Sequence, residues 1–142
     1  MLIPSAPLRS AHLFFLYPRY SATHALSLEE ALAPHGIVPA SFDAVIAVGV
    51  LSYVEQFDVL FSECARAVAP GGVVAFTHIG DWWDEDKRGC RSAAEALVAS
   101  GAWACEEVGA PEAYMPNNPD PVEQAKMIRI MVYRRPGEEA KA

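Results

Sequence analysis

Positive charge and cysteine are both scarce in this sequence, and each shortage removes a class of function. Eleven Lys and Arg against eighteen Asp and Glu leave a net charge of -7. No predicted face gathers basic residues, which excludes a nucleic-acid backbone or an anionic membrane as the main partner. Arg88 with Arg91, or Arg134 with Arg135, are too few and too local. The cysteines, Cys64, Cys90 and Cys105, make no CxxC pair and leave one over from any pairing, as expected of reduced thiols in a cytoplasmic protein. The longest apolar run falls far short of the ~20 residues of a membrane-spanning helix. Met1 to Tyr20 holds the apolar patch Leu13-Phe14-Phe15-Leu16 but no basic start and no clear small-residue cleavage site, which argues against a secretory leader. Also missing are a GxGxxG loop, a phosphate-cradling GxxxxGK[ST], a Cys/His zinc spacing and a GxSxG nucleophile turn. A receiver-type domain is excluded too, for want of paired acids after the first strand and a lysine at a later strand end.

What is present is a folding core. Of 142 residues, 52% are hydrophobic and 20% charged, which suits one globular domain. Ser41 to His78 reads as a βαβ unit. Phe42 to Leu51 is apolar without alternation, as in a parallel strand covered on both faces. Phe57, Leu60, Phe61, Cys64, Ala65 and Val68 then recur as one helical stripe. Ser52 and Glu55 are spaced as a capping box at its start. Pro70 ends the helix, Gly71-Gly72 permit a tight reversal, and Val73 to Thr77 forms the second strand. Such a unit closes as a right-handed parallel pair.

Around this unit the pattern is plainer. In Met1 to Arg19 three prolines interrupt any long element, and Leu13 to Tyr17 reads as a short strand or a helix end. Tyr20 to Leu26 has the composition of a further short strand. Ser27 to Leu32 reads as one helical turn capped by Ser27, with Glu30 at the third position. His78 to Asp86 reads as a polar and aromatic loop. Arg91 to Ser100 is predicted to be a helix with Ser92 and Glu95 as a capping box and Gly101 at its end. Trp103 to Val108 and Lys126 to Arg134 are predicted strands, and Gly109 to Ala125, with four prolines, an ordered but irregular loop of the kind that covers a site. The expected division is an irregular segment 1–40, a core 41–134, together one partial domain, and a mobile tail 135–142.

In open parallel sheets, ligands bind beyond the carboxyl ends of the strands. That rule selects Gly49, Val50, Leu51 and Tyr53 after the first central strand, and His78, Asp81 and Trp82 after the second. Gly49 lacks a Cβ, so either a flat ligand approaches its backbone or a helix packs there. His78 is either a general base or a structural imidazole. Trp82 and Trp83, beside Asp84, Glu85 and Asp86, either hold a cationic amine or pack under the rim next to a solvated acidic face.

The stretch Ser41-Phe42-Asp43-Ala44-Val45-Ile46-Ala47-Val48-Gly49-Val50-Leu51-Ser52-Tyr53-Val54, followed by Cys64-Ala65-Arg66-Ala67-Val68-Ala69-Pro70-Gly71-Gly72, resembles the central strands of class I S-adenosylmethionine-dependent methyltransferases. Ala75-Phe76-Thr77, Gly101-Ala102-Trp103, Tyr114 to Pro119 and Ile128 to Arg134 resemble more narrowly the Williams-Beuren-region methyltransferase-like proteins. The resemblance implies an α/β fold, an incomplete Rossmann-like methyltransferase sheet, mostly parallel, with a C-terminal antiparallel hairpin. It implies S-adenosylmethionine as cofactor over Gly49, Val50 and Leu51, with Ser27 where the family sets an acid beside the adenine. It places Tyr53, His78 and Asp81 as catalytic candidates, and Trp82 and Tyr114 at the substrate, a small-molecule methyl acceptor. In the family's strand order, 3-2-1-4-5-7-6, the sequence begins after the glycine-rich loop, so a truncated domain with weak or no cofactor binding by itself is expected. Its central strand then has an apolar free edge, which either pairs with Leu13 to Tyr17 or Tyr20 to Leu26, or serves self-association. The rival expectation is a non-catalytic interaction module descended from a methyltransferase.

Overall fold

A computed structural model describes residues 22 and 24–138, and its strands form one five-stranded sheet. Strand β1 (Phe42–Ala47) leads through a short 3-10 turn, Leu51–Tyr53, to helix α1 (Phe57–Ala67) and back to strand β2 (Val68–Ile79). The one-turn helix α2 (Gly80–Asp84) and helix α3 (Cys90–Ala99) follow. Strand β3 (Ala104–Val108), the two-residue strand β4 (Glu112–Ala113), the single turn α4 (Pro121–Gln124) and strand β5 (Met127–Arg134) complete the order. The strands lie as β1-β2-β5-β3, with β4 alongside β5. β1 and β2 are parallel, as the βαβ reading requires, and β5 is antiparallel to β2, β3 and β4.

The predicted first strand is shorter than its apolar run, because the chain leaves the sheet after Ala47 and turns at Gly49, whose φ is +69°. The Pro70-Gly71-Gly72 turn becomes a bulge inside β2. Phe42 stands opposite Val68 but Ala44 opposite Val73, so the extra residues loop out. Gly72 is obligatory there, since a Cβ would lie 2.7 Å from the Asp43 carbonyl oxygen.

All the long helices cover one face of the sheet. Val45 of β1, Val74 and Phe76 of β2, and Met131 and Tyr133 of β5 meet Phe57, Leu60, Phe61 and Cys64 of α1, Ala94 of α3, and Trp103. Alternation along the strands turns Ile46, Val48 and Ile130 to the other face, where they are exposed. Cys64 and Cys90 are buried thiols, Cys105 is exposed, and none is paired. No helix among the described residues is long and apolar enough to cross a membrane.

Several local expectations need correction. The Ser52–Glu55 box does not form, because those residues lie in and beyond the 3-10 turn and α1 starts at Phe57. Glu29, far back in the chain, caps α1 instead: its carboxylate accepts from the amides of Glu55 and of Gln56, the latter at 2.8 Å. The Ser92–Glu95 box is likewise replaced, since the Asp86 carboxylate accepts from the Ser92 amide at 3.0 Å and from its hydroxyl. Only half of the Ser27–Glu30 box forms: the Ser27 amide donates to the Glu30 carboxylate at 3.2 Å, but Ser27 Oγ accepts from the Glu29 amide, also at 3.2 Å, and only a turn results, not a helix. His78 to Asp86 is not a loop, because β2 runs on to Ile79 and α2 begins at Gly80. The loop 109–125 contains β4 and α4. Residues 24–26 are not a strand; Tyr20, and the predicted element Leu13 to Tyr17, lie outside the described residues. Arg135, first residue of the expected mobile tail, is anchored: its guanidinium donates to the carbonyls of Val68 at 2.7 Å and Ala65 at 3.2 Å.

Candidate active site at the carboxyl ends of β1 and β2

Where the two parallel strands end, the chain opens a cleft of about 190 Å³. Gly49 forms its floor. The Gly49 amide donates to Thr77 Oγ1 at 3.0 Å, tying the end of β1 to the end of β2. A Cβ on Gly49 would lie 2.8 Å from the hydroxyl oxygen of Tyr114, which descends from the loop between β4 and α4. The glycine is needed first for its left-handed φ of +69°; the Tyr114 hydroxyl, at the far end of a side chain that can shift, adds crowding, and no helix packs there. Tyr114 is held in turn by its amide, which donates to the Lys126 carbonyl at 3.0 Å, and by the pairing of β4 with β5.

Five of the residues selected from sequence line this cleft: Gly49, Leu51, Tyr53, His78 and Tyr114. Leu51 is also buried in the core, while Tyr53 is 82% exposed at the mouth. Val50 faces a neighbouring shallow groove of about 50 Å³, lined by Leu28, Leu32, Val45, Ile46, Val48 and Leu60. Asp81, exposed on α2, and Trp82 lie outside the cleft. Trp82 is occupied by cations of its own chain, with Lys87 Nζ 5.0 Å and the Arg88 guanidinium 5.2 Å from its ring centre. Trp83 is a core residue, as the packing alternative held. Ser27 lines neither hollow; its hydroxyl and amide are used in its own turn.

His78 sits in an aromatic cage rather than in open water. Its ring meets Phe57 at 5.7 Å and Trp82 at 5.9 Å, both edge-on. Both ring nitrogens are buried and have no hydrogen-bond partner among the described residues. Burial, and secondarily the Arg88 charge, push its pKa down to about 4. The imidazole is consequently neutral at physiological pH, a hydrogen-bond partner and only a weak base.

Thr77, Glu123 and Lys126 complete the wall and were not legible in the sequence as site residues. Thr77 ends a strand, but its bond to Gly49 depends on the β1–β2 register. Glu123 and Lys126 lie 2.6 Å apart as an ion pair, and the carboxylate holds the ammonium pKa above its usual range. Among the described residues no group of three or more His, Cys, Asp or Glu side chains could hold a metal ion.

The profile of a methyltransferase-domain family matches residues 21–76, from ahead of the Ser27–Glu30 turn to Phe76 in the second half of β2. No curated protein matches the sequence. Among solved structures, the fold is similar to an S-adenosylmethionine-dependent methyltransferase from Mesorhizobium loti, at 18% identity and a TM-score of 0.64 over 94% of this chain and 78% of that one. It is similar also to the N-methyltransferase NodS from Bradyrhizobium japonicum in complex with S-adenosyl-L-homocysteine, at 17% identity and a TM-score of 0.58 over 94% of this chain and 65% of that one. The fold is that of a class I S-adenosylmethionine-dependent methyltransferase. The narrower likeness to Williams-Beuren-region proteins gains no support. A third relative in fold is the [4+2]-cyclase SpnF, at 16% identity and a TM-score of 0.63, of whose length this chain spans 65%. One class I methyltransferase fold can thus host a different reaction, so the chemistry has to be argued from the site.

S-adenosylmethionine is the cofactor this fold implies. The residues present fit part of it. Gly49 of the cleft stands in the chain between Val48 and Val50 of the groove, whereas 190 Å³ is below the roughly 300–1,000 Å³ of sites that enclose a drug-sized molecule. No glycine-rich loop occurs in the sequence to take the amino-acid end.

Proposed function

We propose that this chain forms the carboxyl-terminal part of a domain that transfers a methyl group from S-adenosylmethionine to a small molecule. The observation that carries this reading is the junction of Gly49, Thr77 and Tyr114. There a left-handed glycine at the end of β1 is locked to β2 and roofed by a loop, at the rim where open α/β sheets bind ligands. Gly49, Val50 and Leu51 would hold the cofactor through their backbone, and the cofactor when bound supplies an electrophilic methyl group. The chain's own part is alignment. Tyr114 and Tyr53 bound the space for the acceptor, Ser52 and Thr77 offer hydroxyls, and His78, kept neutral, imposes no charge on it. Transfer to a nucleophile already lacking its proton needs no stronger base.

Calorimetry of the full chain with S-adenosylhomocysteine is expected to show saturable binding weaker than about 100 µM, or less than about 5.5 kcal/mol. Gly49→Val should abolish it, since the new side chain meets the Tyr114 hydroxyl in a backbone conformation that disfavours it. No heat at millimolar ligand would overturn the assignment.

The second reading, an interaction module, is supported by the outer side of β1. Among the described residues nothing pairs with that edge, and Ile46 and Val48 beside it are 48% and 55% exposed. The edge carries no lysine or proline to block pairing with another chain, and its single charge is Asp43 near its start. Light scattering on concentrated protein should therefore show self-association that Ile46→Lys reduces. A monomer at all concentrations sinks this reading.

A further inference from the structure

Most aromatic rings among the described residues interlock; Phe42 at the start of β1, Tyr53 and Tyr114 do not, and of these three only the two tyrosines line the cleft. Phe57, Phe61, Phe76, Trp103 and Tyr133 are linked through ring contacts with centres 4.9–5.7 Å apart. Tyr53 and Tyr114 enter none of the ring contacts among the described residues, and both line the cleft. Tyr53 leaves its ring almost wholly in water, an arrangement no core packing explains. Tyr114 is held through its backbone, with its hydroxyl seated over Gly49. The third wall is the Glu123–Lys126 pair. Because Glu123 already neutralises Lys126 at 2.6 Å and Asp120 adds a negative charge close by, an anionic ligand finds no uncompensated cation there. A cation finds two tyrosines lining the cleft and a chain of net charge -7.

We propose that Tyr53 and Tyr114 clamp a small planar aromatic acceptor, uncharged or cationic, in the cleft beside Gly49. The word acceptor rests on the methyltransferase reading above; the clamp rests on two cleft rings that have no ring partner among the described residues. Tyr114 sets the depth, because it cannot move toward Gly49, and Tyr53 closes over the ligand from solvent.

The test is calorimetric titration of the full chain with tyramine as cationic aromatic probe and 4-hydroxybenzoate as its anionic counterpart. Tyramine should bind saturably, and Tyr53→Ala should weaken it at least about fivefold, while Tyr53→Phe, which keeps the ring, should not. Tyr53 is so exposed that neither variant should disturb folding, which circular dichroism checks. 4-Hydroxybenzoate should bind more weakly than tyramine. The proposal is overturned if tyramine shows no saturable binding, if Tyr53→Ala binds it as well as the wild type, or if the benzoate binds equally. It is also overturned if added S-adenosylhomocysteine displaces tyramine competitively, since the rings would then serve the adenine. Tyramine binding without any S-adenosylhomocysteine binding would uphold the clamp and refute the methyl-transfer reading.

Discussion

Phe61→Ala is expected to lower the stability of the fold by about 3–5 kcal/mol, the usual cost of emptying a buried aromatic site. Phe61 projects from α1, is 1% exposed, and touches three other rings: Phe57 at 5.6 Å, Phe76 of β2 at 4.9 Å and Trp103 at 5.3 Å between centres. The helix, the central strand and the start of β3 therefore meet on one side chain. Two of those neighbours are large and rigid, so the cavity cannot close easily. Since domains of this size are stable by only about 5–15 kcal/mol, the variant should lose most of its margin. Urea denaturation followed by tryptophan fluorescence measures it. A shift in midpoint worth less than about 1 kcal/mol would mean that the ring cluster is not the centre of the core.

Acidification should destabilise the fold through His78. The folded state holds this imidazole neutral down to a pKa of about 4, whereas in the unfolded chain it protonates near 6.5. Unfolding therefore takes up a proton between these values. The stability contributed by the neutral ring is complete above about pH 6.5, falls as the pH is lowered through the window, and is lost at about pH 4. After allowance for partial solvent screening, the effect is about 2–3 kcal/mol. Carboxylates with lowered pKa, Glu29 and Asp86 among them, lose their own contributions in acid, so the wild type alone does not isolate the effect. His78→Phe does: it keeps a ring between Phe57 and Trp82 but cannot be protonated. The difference in stability between variant and wild type should widen from pH 7 to pH 4. A difference that stays constant would show that His78 reaches water or a partner in the folded state.

Much of this molecule was legible in the sequence where the signal is local or periodic. The stripe from Phe57 to Cys64 specified α1 and its buried face, because helical spacing alone decides which side chains share a side. The strand, helix and strand around the Pro70-Gly71-Gly72 turn specified a parallel pair, because a crossover through a helix allows little else, but the second covered face read from the unbroken run around Val45 is not there, since Ile46 and Val48 stay exposed. Gly49, Tyr53 and His78 followed from knowing where such strands end.

Other features were decided only by distance in space. The cap of α1 comes from Glu29, 26 residues before the nearer amide it holds, so the nearby Ser52 and Glu55 gave a plausible but mistaken signal. Thr77 belongs to the site because the register sets it beside Gly49, and Lys126 because an antiparallel strand returns it there. His78 and Trp82 lie four residues apart and their rings meet edge-on, yet the first is buried against Phe57 and the second faces Lys87 and Arg88. The sequence by itself determined the βαβ unit and the class of fold, since both rest on periodicity and turn chemistry. Only the tertiary structure decided which residues share the cleft and which imidazole loses its charge, because contact across strands and removal from water depend on neighbours that no local pattern names.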